Sequence, residues 1–516
     1  MIDIAYKRAK AFKVSPAAVP SDGTERALAM LADLSIETLP EAPTLQSVLD
    51  NAQDLKESRE DVLSLCRRES TMLYHLATSW FTARPELVQD EKRQSLPVTG
   101  DKYISQSIFD MTKDLVEGVT VSEYIHRLLL IVDQTSYDES LRKVVLQELS
   151  NVCHMEYRRV RRQFRHSLQR GHAKYLVRIP GGLEDGITQV QVMNKPDLKR
   201  DPQLHYLLSL CQESEPAKAI ALVRKIDQLH RSDPQSRDQM HTSEYEAFSN
   251  LATTAGFIMD ISTVLSMPAK GGKKNQFYTP RSKALAFELN SVKEAIDLSA
   301  YAAPMTKLLD DDKKGMKIWE AFDTFVLDKT GTKLETLYED LIEQSLENLH
   351  AYHIQQQTKT AQNKTALQPY VPIVGTSTPA ERIEQRREKD KSRPAHSSFF
   401  YAPVVPIEEP QEEVAPLILK VKQNTFNTFS ILFSRGVARG SIHWTAFEAA
   451  MVDLGFAVVP MFGSVYTFSP PAGMGVQKAL TVHRPHQPRI EGHILLVYAA
   501  RLRRVYGWGP DTFELG

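Results

Sequence analysis

Residues 442–456 read IHWTAFEAAMVDLGF. Phe447, Met451 and Leu454 recur at helical spacing, so they share one face of a helix that Gly455 is placed to end. Beyond it, AVVP (457–460) and VYTF (465–468) read as two short strands joined by a turn containing Gly463. VQKALTVH (476–483) reads as a third strand after the loop PPAGMG. RIEGHILLVYAARLRRVYGW (489–508) reads as a closing helix. It turns Ile494, Tyr498, Leu502 and Val505 or Tyr506 inward, with Gly507 at its end. The predicted α+β order is α-β-β-β-α, a three-stranded sheet covered on one face by two helices.

Upstream, residues 45–357 form a mainly α domain. TLQSVLDNAQDLKESREDVLSLCRRE (44–69), VSEYIHRLLLIVD (121–133), ESLRKVVLQELSNVCHMEYRRVRRQFRHSLQR (139–170) and TLYEDLIEQSLENLHAYHIQQQ (336–357) each repeat apolar residues every three or four positions. In the third, Leu149, Val152, Val160, Phe164 and Leu168 make the stripe. KYLVRIP (174–180) and ITQVQVM (187–193) alternate like strands around GGLEDG, a hairpin signal. EYEAFSNLATTAGFIMDISTVLSM (244–267) carries Asn250 and Asp260 and reads as a buried helix rather than a membrane span, opened by a capping box of Ser243 and Glu246. Residues 1–44 read as loosely ordered. Residues 358–413, with the charge run ERIEQRREKDKSR (381–393) and scattered prolines, read as a disordered linker. The α+β domain occupies 414–516.

The 516 residues carry 63 Lys and Arg against 64 Asp and Glu, so no whole-chain field draws a polyanion. Residues 414–516 differ, with ten Lys and Arg against five Asp and Glu. Cys66, Cys153 and Cys211 lie far apart without CxxC spacing, which argues against a zinc finger or disulfide framework and for a reducing compartment. With no signal peptide and no membrane span in the pattern, the expected location is intracellular, in cytoplasm or nucleus.

Four ordered motifs carry a resemblance. They are Trp444, Phe447, Ala450 and Met451 with Gly455-Phe456; Gly463-Ser464 with Phe468 and Pro470; His483 with Pro485-His486; and Arg501-Leu502 with Arg504 and Tyr506-Gly507-Trp508. Together they resemble a C-terminal domain common in fungal proteins, which is similar to HicA-type toxins. The match covers about 100 residues, from roughly 417 onward. The resemblance implies a double-stranded-RNA-binding-domain-like fold, whose relatives contact RNA through shape and phosphates. The toxins keep a catalytic histidine directly after the Gly-Ser of the second strand; here that position is Val465, which cannot serve as a general base.

The candidate nucleic-acid contacts are His483, Arg484, His486, Arg489, Arg501 and Arg504. Arg501 and Arg504 are three apart and share a helix face. His483 and His486 would point to opposite faces of a strand, so a chelate would need a turn at Pro485. They read as strand-end histidines, as RNA-phosphate contacts beside Arg484, or as a catalytic or metal pair; no Cys or further His is near enough in sequence to complete a coordination set, His443 and His493 being the remaining candidates. Tyr506 and Trp508 read as core or cap residues. In YRRVRRQFRHSLQRGHAK (157–174), Arg158, Arg161, Arg162 and Arg165 lie opposite or flank the apolar stripe and read as a solvated charged face, or as a groove for nucleic acid or an acidic partner. AKGGKKNQFYTPRSK (269–283) lacks P-loop spacing, and LLDDDKK (308–314) reads as a loop or helix end.

No catalytic motif is recognisable, and no cofactor or metal is expected. The leading expectation is a non-enzymatic RNA- or nucleic-acid-binding protein without membrane attachment. One alternative is a scaffold whose helical domain binds a protein partner. Another is a ribonuclease that uses His483 or His486.

Overall fold

The computed structural model describes residues 42–516 apart from 95–99, 136, 185–186, 194–200, 273–275, 303–311, 367–417, 435–439, 462–463, 475 and 477. The N-terminal segment, most of the linker and most of LLDDDKK therefore lie outside the described residues.

The chain is mostly helical. Its body comprises α1 (Leu45–Arg68), α2 (Ser70–Thr82), α3 (Gly100–Gln134) and α4 (Glu139–His172), then the hairpin strands β1 (Leu176–Glu184) and β2 (Ile187–Val192). It continues through α5 (Pro202–Gln212), α6 (Pro216–Ser232), α7 (Thr242–Val264), α8 (Tyr278–Ala295), α9 (Asp312–Thr330) and α10 (Leu334–Ala366). Helix α10 runs past residue 357, so the helical pattern outlasts the expected start of the linker.

The long helices α3 and α4 form the centre, with α1 and α2 packed on α3, and α7 and α8 on α4. The expected stripe on α4 is buried throughout: Leu149, Val152, Val160, Phe164 and Leu168 all belong to the main core. Charged groups are buried among them in pairs. Glu156 is ion-paired with Arg59 at 2.7 Å and accepts from Arg159 at 2.8 Å, and Arg159 reaches Asp114 at 3.0 Å. Burial alone would raise the Glu156 carboxyl, but the two guanidiniums hold it down at about 2. Gly118 makes room for this arrangement, since a Cβ there would stand 3.1 Å from Arg159 Nη2. The basic run on α4 is thus partly internal, with Arg162 buried and Arg161 donating to the Glu213 carbonyl.

Helix α8 begins where the Gly-Lys stretch ends. It has no cap from its own sequence. Glu148 of α4 supplies one, accepting from the backbone N–H of Phe277 at 3.2 Å and of Tyr278 at 2.8 Å. Helix α7 is capped by His241 with Glu244, not by Ser243 with Glu246 as its sequence suggests. The helix therefore starts two residues before that cap would allow, and Glu246 is released from the backbone to point elsewhere.

The C-terminal region contains the strands. In order it holds β3 (Leu419–Val421), α11 (Gln423–Leu432), β4 (Ile442–His443), α12 (Trp444–Asp453), β5 (Ala457–Pro460), β6 (Val465–Ser469), β7 (Leu480–His483), β8 (Arg489–Ile490), α13 (His493–Tyr506) and β9 (Phe513–Leu515). Strands β5, β6 and β7 form an antiparallel sheet; β4 pairs with β8, and β3 runs parallel to β9. The expected order lacked β3, α11, β4, β8 and β9. Arg489 and Ile490, assigned to the closing helix, instead pair with His443 and Ile442, and the helix begins at His493. Gly507 ends that helix with φ 70°, a conformation that excludes most side chains.

This region has its own core of Phe429, Trp444, Phe447, Met451, Phe468, Tyr498, Leu502, Trp508 and Phe513. Phe429 stacks on Phe513 with centroids 4.2 Å apart. Tyr506 and Trp508 belong to this core. Residues Thr44–Gly516 nevertheless form one compact unit, because α13 packs on α1 and α2 of the body. Among the described residues, no helix is long and apolar enough to cross a membrane. The three cysteines are free and buried.

Candidate functional site

Helix α13 has two working faces. Leu495, Tyr498, Ala499 and Leu502 enter the C-terminal core, while His493, Val497, Arg501 and Arg504 follow the other side at intervals of four, four and three. That second face meets the body. Val497 packs against the helical core. Arg504 reaches three carboxylates of α1, with Nε 2.8 Å from Asp61, Nη1 3.7 Å from Asp54 and a close contact to Glu57. Lys478 adds a 2.6 Å contact to Glu57. Asp54, Glu57 and Asp61 recur on one side of α1, which makes an acidic stripe for a basic one.

Between the two parts lies a cavity of about 490 Å³. Its floor includes Trp80 of α2, Tyr245 and Ser249 of α7, and Val465, His483, Arg484, His486 and Arg501 from the C-terminal region. The volume suits one small molecule.

The six candidate contacts separate here. His483, Arg484, His486 and Arg501 all line the cavity. Arg504 faces the body and is neutralised by α1, and Arg489 is exposed and donates to Ser441. His443 is exposed on β4.

His483 closes β7 directly across from Val465 on β6. Its Nδ1 lies 3.3 Å from Ser464 Oγ, which also contacts Ser249 of α7. Burial, with Arg501 nearby, pushes the imidazole down to about 4. His486 is buried, its ring 5.8 Å from that of Tyr245, and its pKa is lowered, chiefly by burial. Pro485 turns the chain between them, so the two histidines reach the same cavity from different sides.

The arginines divide into matched and unmatched. Arg59 and Arg159 also line the cavity but are paired with Glu156 and Asp114. Among the described residues, Arg484 and Arg501 have no carboxylate within ion-pair distance. Arg484 donates to the Tyr466 hydroxyl at 3.3 Å. Arg501 gives Nη1 to the Thr481 carbonyl, and its Nε is shut off from solvent with no hydrogen-bond partner.

The same cavity holds a cluster that sequence reading missed. Glu246 of α7 accepts from His75 Nε2 at 3.0 Å and from His493 Nε2 at 2.6 Å. The two imidazoles stack with centroids 3.5 Å apart and an interplanar angle of 16°. Burial would raise the Glu246 carboxyl, but the paired imidazoles hold it well below the carboxylate range. One ligand atom from each residue lies within 4.8 Å of the others, close enough to share a cation. The sequence offers His493 as a candidate ligand beside His483 and His486; the fold instead places it against His75 of α2 and Glu246 of α7.

Comparison of the chain with protein-family models, with curated proteins and with solved structures finds no match.

Proposed function

We propose that the chain binds one phosphate-bearing nucleotide unit in this cavity, through His483, Arg484, His486 and Arg501. This narrows the expected RNA binding to a single nucleotide unit. The observation that carries it is the pair of arginines, Arg484 and Arg501, that line the cavity with no carboxylate in ion-pair distance among the described residues. Two such guanidinium charges at the cavity wall would be neutralised by an anionic ligand. Arginine is well suited to phosphate because its planar fork can donate in pairs. Tyr245 and Trp80 offer apolar area for a base. A duplex is a poorer fit, since double-stranded RNA is read across successive minor grooves on an open face. We assign the run from α12 through β5, β6 and β7 to α13, interrupted by the short strand β8, to the double-stranded-RNA-binding-like arrangement of HicA-type toxins; the resemblance motifs support that assignment.

The test is calorimetry of the full chain with nucleoside monophosphates and with short single-stranded RNA at low salt. Binding that weakens at least tenfold in Arg501→Ala, with cooperative unfolding retained, is expected. Absence of millimolar or tighter binding to every mononucleotide and oligonucleotide would reject the reading.

A second reading, cleavage of RNA by His483, draws on one fact. His483 stands across the strand pair from Val465, the position at which the toxins keep their histidine. RNA cleavage that disappears in His483→Ala would favour it over simple binding.

A further inference from the structure

We propose that His75, Glu246 and His493 form a binding site for a divalent first-row metal of the zinc class, which ties the C-terminal region to the helical body. The inference is independent of nucleotide binding.

Three observations converge. First, the donor set is two imidazole nitrogens and one carboxylate, the kind that holds zinc in sites with an open coordination position. Second, the spacing fits. Metal–ligand bonds of about 2.0–2.2 Å place tetrahedral donor atoms roughly 3.4 Å apart. Here both Nε2 atoms already turn to the same carboxylate at 3.0 and 2.6 Å, and the donors all lie within 4.8 Å of one another. Admitting the ion requires the two rings to fan out of their stack so that both in-plane Nε2 lone pairs converge on it, as the Nε2 protons leave or move to Nδ1. Third, the three residues line the cavity, so a remaining coordination position faces a space that water or a ligand can enter.

The origin of the ligands gives the site its structural consequence. His75 comes from α2, Glu246 from α7 and His493 from the first turn of α13. The first two belong to the body and the third to the C-terminal region. A bound ion would cross-link them without a covalent bond, and its binding energy would add to their docking. Soft ligands are missing, which disfavours copper(I). Imidazole nitrogen disfavours magnesium and calcium, which prefer oxygen.

The experiment uses the full chain, stripped with chelator and titrated with zinc chloride by calorimetry, and with cobalt(II) followed by visible absorption. One equivalent per chain, four- or five-coordinate cobalt bands and a zinc-dependent rise in unfolding temperature are expected. Glu246→Gln and His493→Ala should each weaken binding at least 100-fold and abolish the temperature shift. Glu246→Gln preserves shape, and a cooperative unfolding transition without metal shows that it folds. His75→Gln is the second variant should His493→Ala fail to fold. Failure of wild-type protein to take up either metal at micromolar concentration would overturn the proposal. So would zinc binding that is unchanged in both Glu246→Gln and the folded histidine variant.

Discussion

Arg504 Nε lies 2.8 Å from Asp61 Oδ2, an ion pair between the last turn of α13 and the middle of α1. It is the centre of a small electrostatic seam with Asp54, Glu57 and Lys478. Removing the guanidinium leaves three partly buried carboxylates facing one another with less countercharge. Arg504→Ala should therefore destabilise the chain by about 1–3 kcal/mol, measured by denaturant unfolding. Arg504→Lys should recover only part of this, because an ammonium cannot fork between Asp61 and Glu57.

Phe447 is fully buried between Phe468 and Tyr498, with ring centroids 5.5 and 5.3 Å away. Phe447→Ala should cost about 3–5 kcal/mol, combining lost transfer energy with a cavity. The check is thermal unfolding of wild type and variant at matched concentration.

His166 and His483 are held neutral, with burial pushing their imidazoles down to about 3 and about 4. The unfolded chain binds protons at these sites near pH 6.5, before the folded chain does. Stability therefore rises with pH in this window and is fully present above about 6.5. It falls as pH drops from there towards 4, by up to about 1.4 kcal/mol per pH unit per histidine. Unfolding free energies at successive pH values test this, and replacing either histidine with Gln should flatten the slope.

Glu148 is the cap that α8 lacks in its own sequence. Burial raises its carboxyl to about 7, despite the Phe277 and Tyr278 N–H donors. A neutral acceptor should therefore serve nearly as well. Glu148→Gln should cost under about 1.5 kcal/mol, whereas Glu148→Ala, which orphans two backbone donors, should cost about 2–4 kcal/mol. Equilibrium denaturation separates the two.

Local pattern foretold the elements it governs. The α4 stripe, the hairpin around GGLEDG and the stop at Gly507 all follow from spacing or from one residue's backbone freedom. Long-range partners were hidden. His75 and His493 each meet Glu246 across 171 and 247 residues, and no spacing rule joins three helices so far apart. A clue existed in Glu246, which seemed committed to a cap that His241 and Glu244 in fact supply. Arg501 and Arg504 were read as one surface, yet they divide: Arg504 answers the acidic stripe Asp54, Glu57 and Asp61, while Arg501 turns to the cavity. Sequence reading of α1 picked out its apolar repeat and not this stripe, and only the docked fold shows which basic face it meets.

The parallel pairing of β3 with β9 sets how the C-terminal region bears load. Leu419 lies beside Phe513 and Val421 beside Leu515. Tension applied between residues 418 and 516 draws the start of one strand and the finish of the other in opposite directions along their shared axis. The ladder is then sheared rather than unzipped, and its hydrogen bonds carry the force together instead of one after another. Stretched from those two points, the region should yield in one abrupt step, while a pull across the β5-β6 hairpin should peel it gradually.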